Sequence, residues 1–185
     1  AVDLMNYGTL HQQYTSYNLD NLINADLTET QKGYGTASDP VLENYTNTKH
    51  IVRENVEASF KGAKLVLENA VIMQAVIQCN DMTDVSVEFV VDGVAYMVDG
   101  SECEKASGYT DRYNVYFTGL KATQFREVVE VTVYRGDTAI SNTLAYSVES
   151  YAYSQKDNTT REYLADLVKS IVNYGDSARA YILGE

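Results

Sequence analysis

Val85-Ser86-Val87-Glu88-Phe89-Val90-Val91-Asp92-Gly93-Val94-Ala95-Tyr96-Met97-Val98 is the stretch that decides the fold. Apolar and polar side chains alternate from Val85 to Phe89. Successive residues of an extended strand face opposite sides, so one side is apolar and the other polar. Asp92-Gly93 separates two such runs, and both residue types accept the positive φ of a two-residue hairpin turn. The same alternation recurs in Val129-Glu130-Val131-Thr132-Val133, and Gly136-Asp137 after Tyr134 marks a second hairpin. Strands are expected at 65–67, 71–79, 85–91, 94–98, 112–117, 127–134 and 144–148. Short strands separated by turns, and not interleaved with long helices, argue against a parallel α/β sheet. They predict an antiparallel, two-sheet, immunoglobulin-like β-sandwich.

The two ends of the chain repeat each other. Leu4-Met5-Asn6-Tyr7-Gly8 is followed by Tyr14, and Ile171-Val172-Asn173-Tyr174-Gly175 is followed at the same spacing by Tyr181. Leu4, Tyr7, Gly8, His11 and Tyr14 fall at spacings of three and four, as on one face of a helix. The second copy closes a longer stripe of Leu164, Leu167, Val168, Ile171, Tyr174, Gly175, Ala178, Tyr181 and Ile182. Thr159-Thr160-Arg161-Glu162 is the expected capping box of that helix. Glycine within a helix costs about 1 kcal/mol relative to alanine, so its recurrence implies close approach of another backbone. Asn6 and Asn173 are expected to hydrogen-bond at the same contact. The two helices are expected to pack on each other or on one edge of the sandwich.

Between the first helix and the sandwich, Tyr17 to Asn21 has turn composition. Thr28-Glu29-Thr30-Gln31 matches a capping box for a short helix ended by Gly33. Tyr151-Ala152-Tyr153-Ser154-Gln155 reads as a hinge or packing element. The expected organisation is α+β and mainly β. An N-terminal helical segment covers 1–40, the sandwich 41–150, and a C-terminal helix 151–185, packed on the same domain. The chain opens on Ala-Val-Asp, and any targeting segment is expected to lie upstream or to have been removed. The repeated boundary helix suggests a module cut from a longer chain.

A net charge of -12 over 185 residues repels phosphate backbones and anionic membranes. Nucleic acid is therefore not expected as a partner, and no apolar run is long enough to insert in a membrane. There are 16 Tyr, 4 Phe and no Trp. Tyrosine suits half-exposed strands and wet recognition surfaces, because its ring is apolar and its tip polar. Cys79 and Cys103 either form a disulfide closing a loop of about 25 residues, worth about 3 kcal/mol, or are two free thiols. With His11 and His50 they lack the spacing of a zinc site.

Enzyme signatures are missing: there is no Gly-x-Ser-x-Gly elbow, His-Glu-x-x-His pair, phosphate loop or dinucleotide turn. No catalytic residue, cofactor or metal is expected. Asn80, Asp81 and Asp84, or Asp99, Ser101 and Glu102, offer loop oxygens of the kind calcium takes, without EF-hand spacing. Acidic loops without a metal are the preferred reading. The candidate ligand-binding group is Tyr109, Asp111, Arg112, Tyr113 and Asn114, with Tyr96 if it lies on the adjacent face. Aromatic faces stack on sugar rings, and amides or carboxylates bond the hydroxyls. The competing reading makes Tyr113 and Tyr116 ordinary strand residues and Tyr109 a loop tyrosine.

Several segments carry a resemblance: the Asn-Tyr-Gly helices, Asn18-Leu19-Asp20-Asn21-Leu22-Ile23-Asn24-Ala25-Asp26-Leu27-Thr28, Phe60-Lys61-Gly62-Ala63-Lys64-Leu65, Val115-Tyr116-Phe117-Thr118-Gly119-Leu120 and Ser141-Asn142-Thr143-Leu144-Ala145-Tyr146-Ser147-Val148. Together they resemble modules of large secreted or cell-wall-attached proteins of Gram-positive anaerobes, including components of cellulosome-like complexes. The resemblance covers most of the chain through short motifs. It implies a secreted or cell-surface location and a non-catalytic role, and it carries over no catalytic residues. The expected function is a carbohydrate-binding module that recognises plant or dietary polysaccharide. The alternative is a structural spacer or protein-interaction module whose partners are neighbouring modules of the same polypeptide.

Overall fold

In a computed structural model the chain is described over residues 1–16, 33–68 and 70–184. It divides into two compact units. One is built from Tyr45–Leu120 and Glu127–Val148, and the other from Ala1–Asn44, Lys121–Arg126 and Glu149–Glu185.

The first unit is two antiparallel sheets. One runs in the order β1 (Asn47–Ile51), β10 (Thr143–Tyr146), β8 (Val129–Arg135), β4 (Val85–Val91), β5 (Val94–Asp99), with β9 (Thr138–Ala139) paired to the end of β8. The other runs β2 (Ala58–Leu67), β3 (Val71–Cys79), β7 (Arg112–Phe117), β6 (Glu104–Lys105). The alternation expected from the sequence is realised. Val85, Val87, Phe89 and Val91 are buried, while Ser86, Glu88 and Val90 between them are only half-buried. Val129, Val131 and Val133 on β8, and Met73, Ala75, Ile77, Val115 and Phe117 on β3 and β7, complete the buried set. The Phe89 and Phe117 rings, one from each sheet, stack with centroids 5.1 Å apart. The β4–β5 turn has Asp92 at φ 51° and Gly93 at φ 71°, and Val91 faces Val94 across it. That is the two-residue, doubly positive turn whose twist matches its strands.

Several elements differ from expectation. β2 starts at Ala58 rather than Leu65, because a bulge between Phe60 and Gly62 interrupts its alternation. β1 was not expected: Asn47-Thr48-Lys49-His50-Ile51 is polar and lies at a sheet edge, with no buried face to impose a period. The last strand ends at Tyr146, and Val148 opens a helix instead of closing a strand.

The helical unit contains α1 (Val2–Tyr14) and α3 (Leu164–Leu183), together with α2 (Val148–Gln155) from Glu149 onward. The stretch 151–155, expected as a hinge or packing element, is part of this helix, and Tyr151 and Ala152 on it are buried. α3 starts later than its expected capping box. Asn158 Oδ1 accepts the N–H groups of Thr160 (2.9 Å) and Arg161 (3.0 Å), and Tyr163 adopts a left-handed φ of 64° just before Leu164. That φ separates the Thr159–Glu162 turn from the helix proper. The turn at 17–21 and the capping box at 28–31 lie outside the described residues.

α1 and α3 pack on each other and run antiparallel. The Tyr7 and Tyr174 rings stack at 5.6 Å with an interplanar angle of 9°. Ser177 Oγ donates to Asp3 Oδ2 (2.5 Å) beyond the stack, and Arg161 reaches the Tyr14 hydroxyl (3.5 Å) on its other side. Burial, with Tyr174 alongside, raises the Tyr7 phenol above its ordinary value. Both repeated asparagines bond the same loop. Asn6 Oδ1 accepts Gly35 N–H (3.0 Å), and Asn173 Nδ2 donates to Ser38 O (2.9 Å). Arg126 ties the remaining pieces. Its Nε and Nη2 make a bidentate pair with Asp176 (2.5 and 2.8 Å), and its Nη1 bonds Glu149 Oε1 (2.5 Å) and Val41 O (3.0 Å).

The two repeated glycines are not equivalent. A Cβ at Gly175 would meet Phe125 Cβ at 3.0 Å and Ala122 O at 3.1 Å, so close packing by the Lys121–Arg126 segment excludes a side chain. At Gly8 no described atom lies within 4 Å of that position. Gly8→Ala therefore gains helix propensity of about 1 kcal/mol and should raise the melting temperature by about 2–4 °C. Gly175→Ala must displace backbone and should lower it. Paired thermal melts distinguish the two positions.

Candidate functional site

The expected ligand group lies around the β6–β7 hairpin. Between the strands Tyr109 N–H donates to Ala106 O (3.2 Å), Ala106 N–H donates to Arg112 O (2.9 Å), and Gly108 turns the chain at φ 81°. This folds Tyr109 back onto the strand, where the Arg112 guanidinium carbon sits 3.9 Å from its ring centroid. A cation over an aromatic face is attracted by the ring quadrupole. Asp111 is also engaged: Gln78 Nε2 donates to its Oδ2, and its carbonyl accepts Cys79 N–H (2.9 Å).

The register sets the rest of the surface. Gln78, Val76 and Gln74 of β3 face Arg112, Asn114 and Tyr116 of β7 in turn, and Glu104 of β6 faces Asn114. These residues alternate with the buried Ile77, Ala75, Val115 and Phe117, so they share the sheet's outer face, on which Gln74 is itself buried. Tyr116 donates to Glu104 Oε2 (3.1 Å). Desolvation, with the Glu104 contact second, raises its phenol above the ordinary value. The predicted residues thus separate. Tyr109, Asp111, Arg112 and Asn114 come together on the outer face and its hairpin. Tyr113, opposite Ile77, is on the inner side and half-buried. Tyr96 stands on β5 of the other sheet, 5.1 Å from Phe117 at the far end of β7, and packs there. Gln74, Gln78, Glu104 and Tyr116 were not among the predicted site residues. Only the alternation of 112–117 signalled Tyr116, and strand pairing supplies the others.

The two sets of loop oxygens weighed for calcium meet at one end of the sandwich. Asp81, Asp84, Asp99 and Ser101 line a depression of about 620 Å³. The carboxylates of Asp81 and Asp99 are committed to local turns. Asp99 Oδ1 accepts Ser101 N–H (2.8 Å) and Oγ–H (2.6 Å), and Asp81 Oδ1 accepts Thr83 N–H (2.9 Å). Those hydrogen bonds hold both carboxyls below their ordinary range. Arg135 Nη1 stands 3.9 Å from Asp81 Oδ2. Among the described residues no three or more His, Cys, Asp or Glu side chains group as a metal site. His50 Nε2 is 2.8 Å from Glu130 Oε1 on the β1 edge, and His11 lies on α1.

Both cysteines are free thiols. Cys79 is buried and donates to Asp81 O (3.0 Å), and Cys103 is half-buried beside Asp99. Burial first, then the Asp99 and Glu102 charges, push the Cys103 thiol up to about 11. Neither environment is the electropositive one that activates a thiolate.

A third surface belongs to the helical unit. Ala1, Leu4, Tyr174, Ser177, Ala178, Tyr181 and Ile182 line a mainly apolar groove of about 210 Å³ between the N-terminal end of α1 and the C-terminal half of α3. The terminal repeat was its signal in the sequence. Among the described residues no helix is long and apolar enough to cross a membrane. No family model, curated protein or solved structure matches the chain.

Denatured protein should show two reactive thiols per chain by Ellman titration, one for each free cysteine. In the native state at pH 8, Cys103 should alkylate slower than a simple thiol by a factor on the order of a hundred, following its thiolate fraction. A single thiol-free, disulfide-linked species on mass analysis would contradict the geometry.

Proposed function

We propose that this chain is a non-catalytic spacer and protein-interaction module of a secreted or cell-surface multi-modular protein, built on an immunoglobulin-like sandwich. The strand order supports the sandwich reading. β2-β3-β7-β6 corresponds to strands A-B-E-D, and β10-β8-β4 to G-F-C with β5 as an added C′ edge. The extracellular setting rests on the sequence resemblance to cell-wall and cellulosome-associated modules.

The observation that carries the interaction reading is the apolar end of the α1–α3 pair. Tyr181 is 91% exposed, Ile182 66%, Val2 58% and Leu183 54%, with Leu4 beside them at 48%. Isolated exposed apolar residues are ordinary, but a contiguous group at the end of a helix pair marks a contact surface. The aromatic rings that a sugar would need are mostly occupied elsewhere. Tyr7 and Tyr174 stack on each other, Tyr96 packs on Phe117, and the Tyr109 face carries Arg112.

Glycan binding stays as a second reading because of one specific arrangement. Gln78, Arg112, Asn114 and Tyr116 stand side by side on the outer face of β3 and β7, offering amides and a phenol to a polysaccharide lying across the strands.

Affinity electrophoresis through gels containing xylan, mannan, mixed-linkage glucan or starch separates the two readings. The interaction module migrates unretarded in all of them. Retardation by one polysaccharide, lost in Arg112→Ala and Tyr116→Ala, would replace this reading with the glycan one.

A further inference from the structure

The sandwich leaves one sheet edge unprotected. Unpaired strand edges invite pairing with another chain, and proteins block them with lysine, proline, bulges or very short strands. Among the described residues the strands that end the two sheets are β1, β5, β2 and β6. β1 carries Lys49 and an irregular register, and β2 carries Lys61 and Lys64 beside its bulge. β6 is two residues long. β5, Val-Ala-Tyr-Met-Val-Asp, has none of these devices, and its six residues pair with β4 without a break.

The hairpin fixes which backbone groups of β5 are open. A two-residue turn is closed by a hydrogen-bonded pair, here Val91 and Val94, and such pairs alternate along an antiparallel ladder. Tyr96 with Phe89 and Val98 with Val87 are therefore the next bonded pairs. Ala95 and Met97 turn their N–H and C=O groups outward, where no described residue bonds them. Asp99, the next outward residue, spends its N–H on Glu102 Oε1 (3.2 Å). The side chains are open as well. Val94, Tyr96 and Val98 lie on the core side, opposite Val91, Phe89 and Val87. Yet Val94 is 50% exposed, and Tyr96 and Val98 are only half-buried.

Charge decides the occupant. Asp92 and Asp99 bracket the strand, and Glu88 of β4 stands beside Met97. A second copy bonded through all four open groups would set Ala95 of each chain against Met97 of the other. That register brings Asp92 of each next to Asp99 of the other. Like charges so placed are destabilising, and each chain carries a net charge of -12. Cations at both ends of an incoming strand turn the same two positions into attractions.

We propose that the β5 edge is a docking site for an extended peptide segment, which adds to the sheet as an antiparallel strand. Its apolar side chains, at alternate positions, cover Val94, Tyr96 and Val98. Lysine or arginine at its two ends meets Asp99 and Asp92. The inference rests on the interaction-module reading and gives that module's partner its chemistry.

The probe is the peptide Lys-Val-Thr-Val-Thr-Val-Lys with blocked ends, added to the full chain and followed by amide NMR. Its valines fall opposite Val98, Tyr96 and Val94, and its threonines opposite Met97 and Ala95. At saturating peptide, hydrogen exchange at the Ala95 and Met97 amides should slow about tenfold or more. N-methylation of both threonines removes the donors that face β5 and should abolish the effect. Glutamate in place of both lysines should weaken binding about tenfold or more. No protection by the lysine peptide, or equal protection by either altered peptide, would overturn the proposal. So would protection of these amides in the chain alone that fades on dilution, because a second copy would then hold the edge. Retardation by a polysaccharide, with the edge still protected by the peptide, would fault the interaction-module reading alone. Unretarded migration without protection would fault this inference alone.

Discussion

The Arg126 guanidinium holds together a unit that the chain assembles from three separate stretches. Its own segment, Lys121–Arg126, is interposed between β7 and β8. Through Val41 O it grips the stretch that carries α1, and through Glu149 and Asp176 it grips α2 and α3. The pair with Asp176 is bidentate, a geometry that lysine does not reproduce. Glu149 is mostly buried and also accepts Glu43 N–H (3.0 Å), so the node closes a ring of hydrogen bonds. Removing the arginine would leave a buried carboxylate without its cation, which costs more than the pair itself contributes. The Phe125 side chain beside it fills the space that Gly175 vacates and meets Tyr174 edge-on at 6.4 Å. Ion pair, glycine and ring thus fix where α3 lies within the unit.

Much of the sandwich was legible because its strands obey a period of two. The alternation in β4 runs within its observed bounds, and β3 and β7 keep the bounds expected for them. The exceptions have physical causes. β1 presents no buried face, β6 and β9 are two residues each, and the β2 bulge at Phe60–Gly62 shifts the phase. α2 follows β10 almost directly, and its Tyr-Ala-Tyr-Ser composition carries no helical stripe. The capping box before α3 was a true turn signal. A side-chain oxygen from Asn158 meets the turn instead, and the left-handed Tyr163 delays the helix.

The candidate surface was half legible. Alternation in 112–117 places Arg112, Asn114 and Tyr116 on one face, but which β3 residues stand beside them depends on register between strands more than thirty residues apart. That Arg112 covers the Tyr109 ring depends on a left-handed turn at Gly108 that no periodicity encodes. The Asn-Tyr-Gly repeat was visible from the sequence, and so was the expectation that its helices meet. The unequal roles of Gly8 and Gly175 were not, because the segment that crowds Gly175 comes from a distant part of the chain. An identical motif is thus used twice for ring stacking and loop binding, and once for close backbone approach.

The account rests on Tyr7 and Tyr174 acting as one pairing device, and a double-mutant cycle tests that most directly. Tyr7→Leu, Tyr174→Leu and the double variant would be compared by denaturant unfolding. Stacked rings in this geometry should give a coupling energy of about 0.5–1.5 kcal/mol, the double variant being less destabilised than the sum of the singles. Strict additivity of the two substitutions would mean that the rings do not interact, and would contradict the paired-helix account.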